Sequence, residues 1–504
     1  MTKNNRLVKG IIFASQIWLL YLAVSGLFEN FYFARAYFKN IWVAVILISL
    51  AALLVTLALF VWLSKRLPKK RWPAALIVFV LALCLKLAFA FMVNTPQYSD
   101  FQLFWWVTNF IAKGDTSYLT NSTYFSVWAY QAGFPMFMAP AVKIFGQSLT
   151  AVLSLNITFM ALSNMLLYLI LYRVTSPDRA MFAALLYMFL PLGYGLSPVY
   201  TNQHAALFFI MLAVYLLTAK SWKLRSGIAL SAAAGLALAV SNAIRPEASI
   251  ILIAVAATAV LTLISEFNDK LTWLKRTGSR AATAALSFFV CFALINSLVK
   301  ASGFQPLGLV NNFPLYKFAV GLNHESYGRY NDGDAALAME DKYAGDTEER
   351  DSRTAYMIKE RLKVSPGKLL RLLHEKNMTM WSAKHNDQPA FSHVTADDVL
   401  DLGFTEVKYM NVAHLFMYFD GLYMSVIFIL CIYGLAGKYG RGETNKVYLL
   451  GLLSFLGFCA VFLVIEVQMR YRLLPLTMLF LTIGFLQNPQ DGLRRKSGTG
   501  ERVT

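Results

Sequence analysis

Long apolar runs separated by short polar loops fill most of the chain. A helix needs about 20 mostly apolar residues to cross a bilayer. Runs of that kind lie near 8–28, 41–63, 73–93, 149–172, 180–196, 203–219, 226–243, 248–265, 282–299, 411–435, 446–465 and 472–487. They predict an all-α polytopic membrane protein with about twelve transmembrane helices. The fifth, sixth and twelfth runs are short, so one of them is expected to be little tilted or partly re-entrant. Lys3, Arg6 and Lys9 precede the first run and no small-residue cleavage site follows it. That run reads as a retained helix, not a signal peptide.

Two long polar segments interrupt the pattern. The first, from Val93 to Leu149, is rich in aromatic residues, and its stretch from Phe101 to Ala112 reads as an amphipathic helix at the membrane interface. The second, from about Ala301 to Met410, carries most of the acidic residues and helical patterning such as Ser352 to Lys363, and predicts a mixed loop domain. The chain thus divides into two N-terminal transmembrane helices (1–72), a transmembrane core (73–300) with its first outer loop at 94–148, the loop domain (301–410), and C-terminal helices with a tail (411–504).

Composition supports lipid as the solvent. The chain is 57% hydrophobic and 15% charged, against about 45–50% apolar and about 25% charged in soluble domains. The net charge of +18 sits in short loops, where topology explains it better than a nucleic-acid partner does. With the N-terminus inside, the inner loops and termini hold about 24 cations against 7 in the short outer loops. The inner set includes Lys65, Arg66, Lys69, Lys70, Arg71, Lys220, Lys223, Arg441, Arg494, Arg495 and Lys496. The positive-inside rule then predicts cytoplasmic termini and places both long polar segments outside, including Lys342 in the second. Cys84, Cys291, Cys431 and Cys459 each lie in an apolar run, which argues against a disulfide framework or a thiolate metal site.

Several residues on the outer side can carry chemistry. Asp100, in Tyr98-Ser99-Asp100-Phe101, is either a general base for an acceptor nucleophile or an N-cap for the helix after it. Arg245 and Glu247 flank Pro246 in a tight hairpin; the arginine suits a phosphate or snorkels to headgroups. Glu466, Gln468, Arg470, Tyr471 and Arg472 cluster between the last two runs, as a phosphate clamp or a structural ion pair. Lys86 is an intramembrane cation, expected to snorkel or to meet a buried carboxylate. Gln203 and His204 open the sixth run, where a satisfied polar role is expected for the histidine. His374, His385 and His393 lack metal-ligand spacing, so no metal site and no cofactor are assigned.

Taken together, these motifs resemble the GT-C membrane glycosyltransferases, in the branch of protein O-mannosyltransferases and aminoarabinose transferases. The likeness rests on Asp100 in the first outer loop, Trp128 to Pro135 with its Gly-Phe-Pro step, and Lys143 to Gly146. It rests also on Asn242 to Glu247, on Gly321 to Asn323 with Gly328 to Asn331, and on Glu466 to Tyr471. It extends from about Leu76 onward. Two spans precede the one that comes first in that family, and a single Asp100 replaces its acidic pair, with Asp115 displaced along the loop. The resemblance implies transfer of a sugar from a polyprenyl-phosphate donor to a glycan, lipid or protein acceptor of the cell envelope, among membrane lipids. Asp100 would be the base or acceptor-orienting residue, and Arg245 and Arg470, with Arg472, would hold the lipid phosphate. Tyr98, Glu247, Glu466, Gln468 and Tyr471 would line the substrate site. The rival expectation is a twelve-helix transporter or flippase. Such proteins carry a long cytoplasmic linker between the sixth and seventh spans, which is about six residues here.

Overall fold

The computed structural model describes residues 6–219, 224–265, 270–339, 347–385, 387–401, 406–439 and 445–486. Lys3, Lys220, Lys223, Lys342, Arg441, Arg494, Arg495 and Lys496 lie outside the described residues. Helices occupy all twelve apolar runs. By length and composition, seven helical stretches can cross a membrane: Arg6–Arg66, Arg71–Val93, Leu149–Tyr172, Leu224–Ile244, Arg276–Ala301, Tyr409–Ala436 and Lys446–Val464. The first of these turns at Lys39–Ile41 into two helices, Arg6–Phe38 and Trp42–Arg66. All four cysteines are free.

The short runs are short for a reason. Pro191 has no N–H to donate and opens a separate turn, Pro191–Gly195, after Pro177–Met188 has ended. The 12 residues of Pro177–Met188 and the 11 of Leu473–Ile483 rise about 1.5 Å each, well under the roughly 30 Å of a hydrocarbon core. Leu473–Ile483 is wholly buried among longer helices, and so is most of Pro177–Met188. The outer helices are the reverse: only 17% of the apolar window in Arg6–Arg66 and in Arg276–Ala301 is buried. Ile48, Leu54, Val55 and Leu298 are exposed apolar residues there, as expected of faces turned to lipid. Close packing depends on small residues. A Cβ on Gly235 would stand 2.4 Å from the Ala284 carbonyl oxygen of the neighbouring Ser279–Ala301 helix.

Lys86 departs from expectation. It is fully buried and does not snorkel. Its ammonium donates to the Met188 carbonyl at 3.0 Å and lies 4.2 Å from the centre of the Tyr194 ring. The break after Met188 leaves that carbonyl without an intrahelical donor, and Lys86 supplies one.

The two ends of the bundle differ in chemistry. At one end Lys69 pairs with Asp178, Arg71 Nη2 donates to the Tyr215 hydroxyl at 2.6 Å, and Lys446 Nζ donates to Thr277 Oγ1 at 2.7 Å. The other end holds the two long polar segments, which pack on each other: Tyr130 N donates to Val310 O at 3.0 Å and Asn312 N to Val127 O at 3.1 Å. The 301–410 segment is mixed, as expected. It contains the helices Pro314–Gly321, Asp332–Met339, Thr347–Leu362 and Pro366–Trp381, and an antiparallel pair, Val399–Asp401 with Glu406–Lys408.

Candidate functional site

A cavity of about 1300 Å³ opens at the end that carries the polar segments. Small residues bring its walls together. A Cβ on Gly133 would stand 1.7 Å from the Ala243 carbonyl, so this glycine lets the Gly133–Phe145 helix lie directly on the hairpin that carries Arg245. Gly321 does the same for the other wall, where a Cβ would stand 2.3 Å from the Ile465 carbonyl carbon. Glu466 N then donates to Lys317 O, and Val467 N to Gly328 O, each at 2.9 Å. The motifs flagged in the sequence around residues 133, 245, 321 and 466 thus meet.

Of the nine predicted site residues, eight line this cavity: Tyr98, Asp100, Arg245, Glu247, Glu466, Gln468, Arg470 and Tyr471. Asp100 is the second residue of the Ser99–Ala112 helix, which has no side-chain cap. Its carboxylate turns to the cavity, where Oδ2 accepts from Arg470 Nη2 at 2.8 Å and Oδ1 from the Tyr124 hydroxyl at 3.2 Å. Burial raises its carboxyl, but the Arg470 guanidinium, Lys317 and the Tyr124 hydroxyl together outweigh burial and hold it below the usual carboxylate value. Arg470 Nε donates to Gln468 Oε1 at 2.7 Å, and the Gln468 amide in turn donates to Glu466. Arg245 Nε donates to Glu247 at 2.6 Å and Nη1 to Asn202 at 3.1 Å. The Tyr471 ring stands between the two arginines, 5.1 Å from Arg245 Cζ and 5.8 Å from Arg470 Cζ. Each guanidinium keeps N–H donors beyond those bonds, so each can still bind an anion.

Arg472 does not line the cavity. It is fully buried, paired with Asp420, and donates from Nη1 to Met380 O at 3.1 Å. This corrects its assignment to the lipid phosphate, because a guanidinium already neutralised inside the bundle has no route to a ligand in the cavity.

Some lining residues escaped the sequence reading. Lys317, from the Pro314–Gly321 helix, pairs with Glu466. Burial lowers its ammonium, but the Glu466 carboxylate reverses this and carries it well above its ordinary value. Tyr130 is pushed up to about 12, mainly by burial, and stays a neutral donor. Arg329, Lys384 and Asp387 come from the 301–410 segment. Gly321 to Asn331 had been noticed, and Lys317 lies just before it; Asp387 left no motif. No group of three or more His, Cys, Asp or Glu with metal-binding geometry occurs among the described residues.

No curated protein matches the chain. A model of the conserved hypothetical integral membrane protein family does match, over residues 2–378, about three quarters of the length. The chain, an all-α multi-pass membrane protein, belongs to that family.

Proposed function

We propose that this protein is a membrane glycosyltransferase of GT-C type that moves a sugar from a polyprenyl-phosphate donor to a cell-envelope acceptor. One observation carries the reading. A carboxylate held by an arginine, Asp100 with Arg470, shares a cavity with two further cations, Arg245 and Lys317. The leaving group of such a transfer is a phosphate that gains charge as the bond breaks, and preorganised cations stabilise that change. Arg245, Arg470 and Lys317 bind the phosphate. Asp100, fixed by Arg470 and Tyr124, orients the acceptor hydroxyl or amine. Lipid access is supported by the apolar lining residues Ile250, Phe458, Val461 and Phe462 on the same cavity.

The sidedness follows from the charges. Lys65, Arg66, Lys69, Lys70 and Arg71 sit at the bundle end away from the cavity, and the positive-inside rule makes that end cytoplasmic. Transfer then takes place on the extracytoplasmic face.

The test uses purified protein and a panel of radiolabelled undecaprenyl-phosphate sugars. Wild type should bind one of them, and Arg245→Ala and Arg470→Ala should weaken that binding about tenfold or more. Lysine at either position should restore little, since a point charge lacks the bidentate fork. Asp100→Asn should retain the donor yet transfer about a hundredfold more slowly. Failure of wild type to bind any donor in the panel would sink the reading.

A further inference from the structure

Ten charged side chains among the described residues line the cavity: Arg245, Lys317, Arg329, Lys384 and Arg470, with Glu29, Asp100, Glu247, Asp387 and Glu466. Most are matched in ion pairs. Arg470 holds Asp100, Arg245 holds Glu247, Lys317 holds Glu466, and Lys384 holds Glu29 at 3.2 Å. Arg329 donates instead to the Ser326 carbonyl at 3.1 Å. Asp387 is the carboxylate left over, with no ion-pair partner among the described residues.

Its position is fixed on the far side of its backbone. The adjoining Gln388 is buried and donates to Asp420 at 2.9 Å, and Thr95 Oγ1 donates to Ala390 O at 2.6 Å. These bonds tie the Asp387 segment to the transmembrane bundle while its side chain stays accessible from the cavity. Asp387 and Asp100 are both close enough to the Tyr98 hydroxyl to oppose its ionisation, after burial, which is the larger effect. Both carboxylates line the same cavity.

They are not equivalent as bases. Both oxygens of Asp100 already accept hydrogen bonds, one from a guanidinium, and that neighbour weakens its basicity. We infer that Asp387, rather than Asp100, accepts the proton from the acceptor nucleophile. This rests on the glycosyltransferase reading and assigns its proton-transfer step. The cavity walls around the Asp387 carboxyl displace bulk water and lift it above its usual value while its surface stays open to the cavity, against smaller opposing effects of its own backbone N–H and of Arg470, Arg329 and Arg472. A base whose pKa lies nearer the working pH is the more effective one.

The step balances without another reactant. A lone pair of the acceptor oxygen or nitrogen forms the bond to the anomeric carbon. The bond from that carbon to the phosphate oxygen breaks, and its electron pair leaves on polyprenyl phosphate, whose added charge faces Arg470 and Arg245. The proton of the acceptor passes to the Asp387 carboxylate.

The experiment measures sugar transfer from undecaprenyl-phosphate sugars to membranes of cells lacking this protein. Asp387→Ala and Asp387→Asn should bind donor as wild type does and transfer about a hundredfold more slowly. Added formate should restore transfer by Asp387→Ala at least about tenfold, because a small carboxylate can occupy the vacated space and take the proton. It should not restore Asp100→Asn. Donor binding also reports folding, and the isosteric Asn variant decides the matter where the Ala variant does not fold. Near-normal transfer by either variant overturns the inference, and so does slow transfer by a folded Asp387→Ala that formate leaves unchanged. A wild-type protein that transfers no sugar overturns the glycosyltransferase reading itself, and the inference with it.

Discussion

Removing Asp420 separates a structural role for Arg472 from a ligand-binding one. Both side chains of this pair are 0% exposed, and Asp420 also accepts from Gln388 at 2.9 Å. Asp420→Ala leaves a buried guanidinium with the Met380 carbonyl as its remaining acceptor among the bonds described above. Breaking a buried pair from one side costs roughly 3–5 kcal/mol. At about 1.4 kcal/mol per factor of ten, the ratio of folded to unfolded protein falls by about two to three and a half orders of magnitude. The Lys69–Asp178 pair is 46% and 47% exposed, and Asp178→Ala should cost only about 0–1 kcal/mol. Thermal unfolding in detergent micelles, followed as the monodisperse fraction on size exclusion, measures the difference. Asp420→Ala and Arg472→Ala should both unfold well below wild type. The double change Asp420→Leu with Arg472→Met should recover most of the loss, since apolar replacement of a buried pair is often neutral or better. Arg472→Ala that unfolds like wild type but loses its sugar donor would refute the structural assignment.

Other expectations test neighbouring parts of the fold. Lys113→Cys should react with a membrane-impermeant maleimide in intact cells and Lys65→Cys should not; the reverse pattern would invert the orientation. Gly321→Ala places a Cβ 2.3 Å from the Ile465 backbone and should cost about 1–3 kcal/mol, with faster hydrogen exchange at the Val467 N–H; unchanged stability and exchange would show that the contact yields. Burial pushes Lys376 from 10.5 down to about 7. Its protonated form therefore destabilises the fold fully below pH about 7, progressively less up to about 10.5, and not at all above. Stability should rise between pH 7 and 9, and Lys376→Met should flatten that slope; an equal slope in the variant would count against this account.

Hydropathy alone located the helices of the long apolar runs, because about twenty apolar residues carry that information without reference to tertiary structure, but it gave no sign of shorter ones such as Gly133–Phe145 and Pro366–Trp381. Which of them face lipid was not readable. Leu473–Ile483 is as apolar as its neighbours, and only its shortness, like that of Pro177–Met188, hinted that longer helices enclose it. Arg472 misled for a local reason. It lies two residues from Arg470 in the 3-10 turn Met469–Arg472, where each residue advances about 120°. Two steps turn the side chain through about 240°, so the two arginines diverge, one into the cavity and one into the bundle. Asp387 and Lys317 left no motif, because only the docking of the 301–410 segment brings them to Asp100 and Arg470.

That docking bears on how the chain should be divided. Composition changes sharply near residue 301, and the sequence alone reads the following segment as a separate loop domain. Packing does not break there. Lys376 donates to Gly321 O at 2.6 Å and to Ile465 O at 2.8 Å, joining the loop segment to the residue just before Glu466. Backbone bonds link Lys317 and Gly328 to Glu466 and Val467 on the same side. The charges facing the cavity come from both partners of this joint: Lys317, Arg329 and Asp387 from the loop segment, Asp100, Arg245 and Arg470 from the connections between membrane helices. A chain cut at these boundaries would lose Asp387 and the ammonium that neutralises Glu466 together. The loop segment is thus a wall of the site, and its removal should abolish the arrangement that a lid would leave intact.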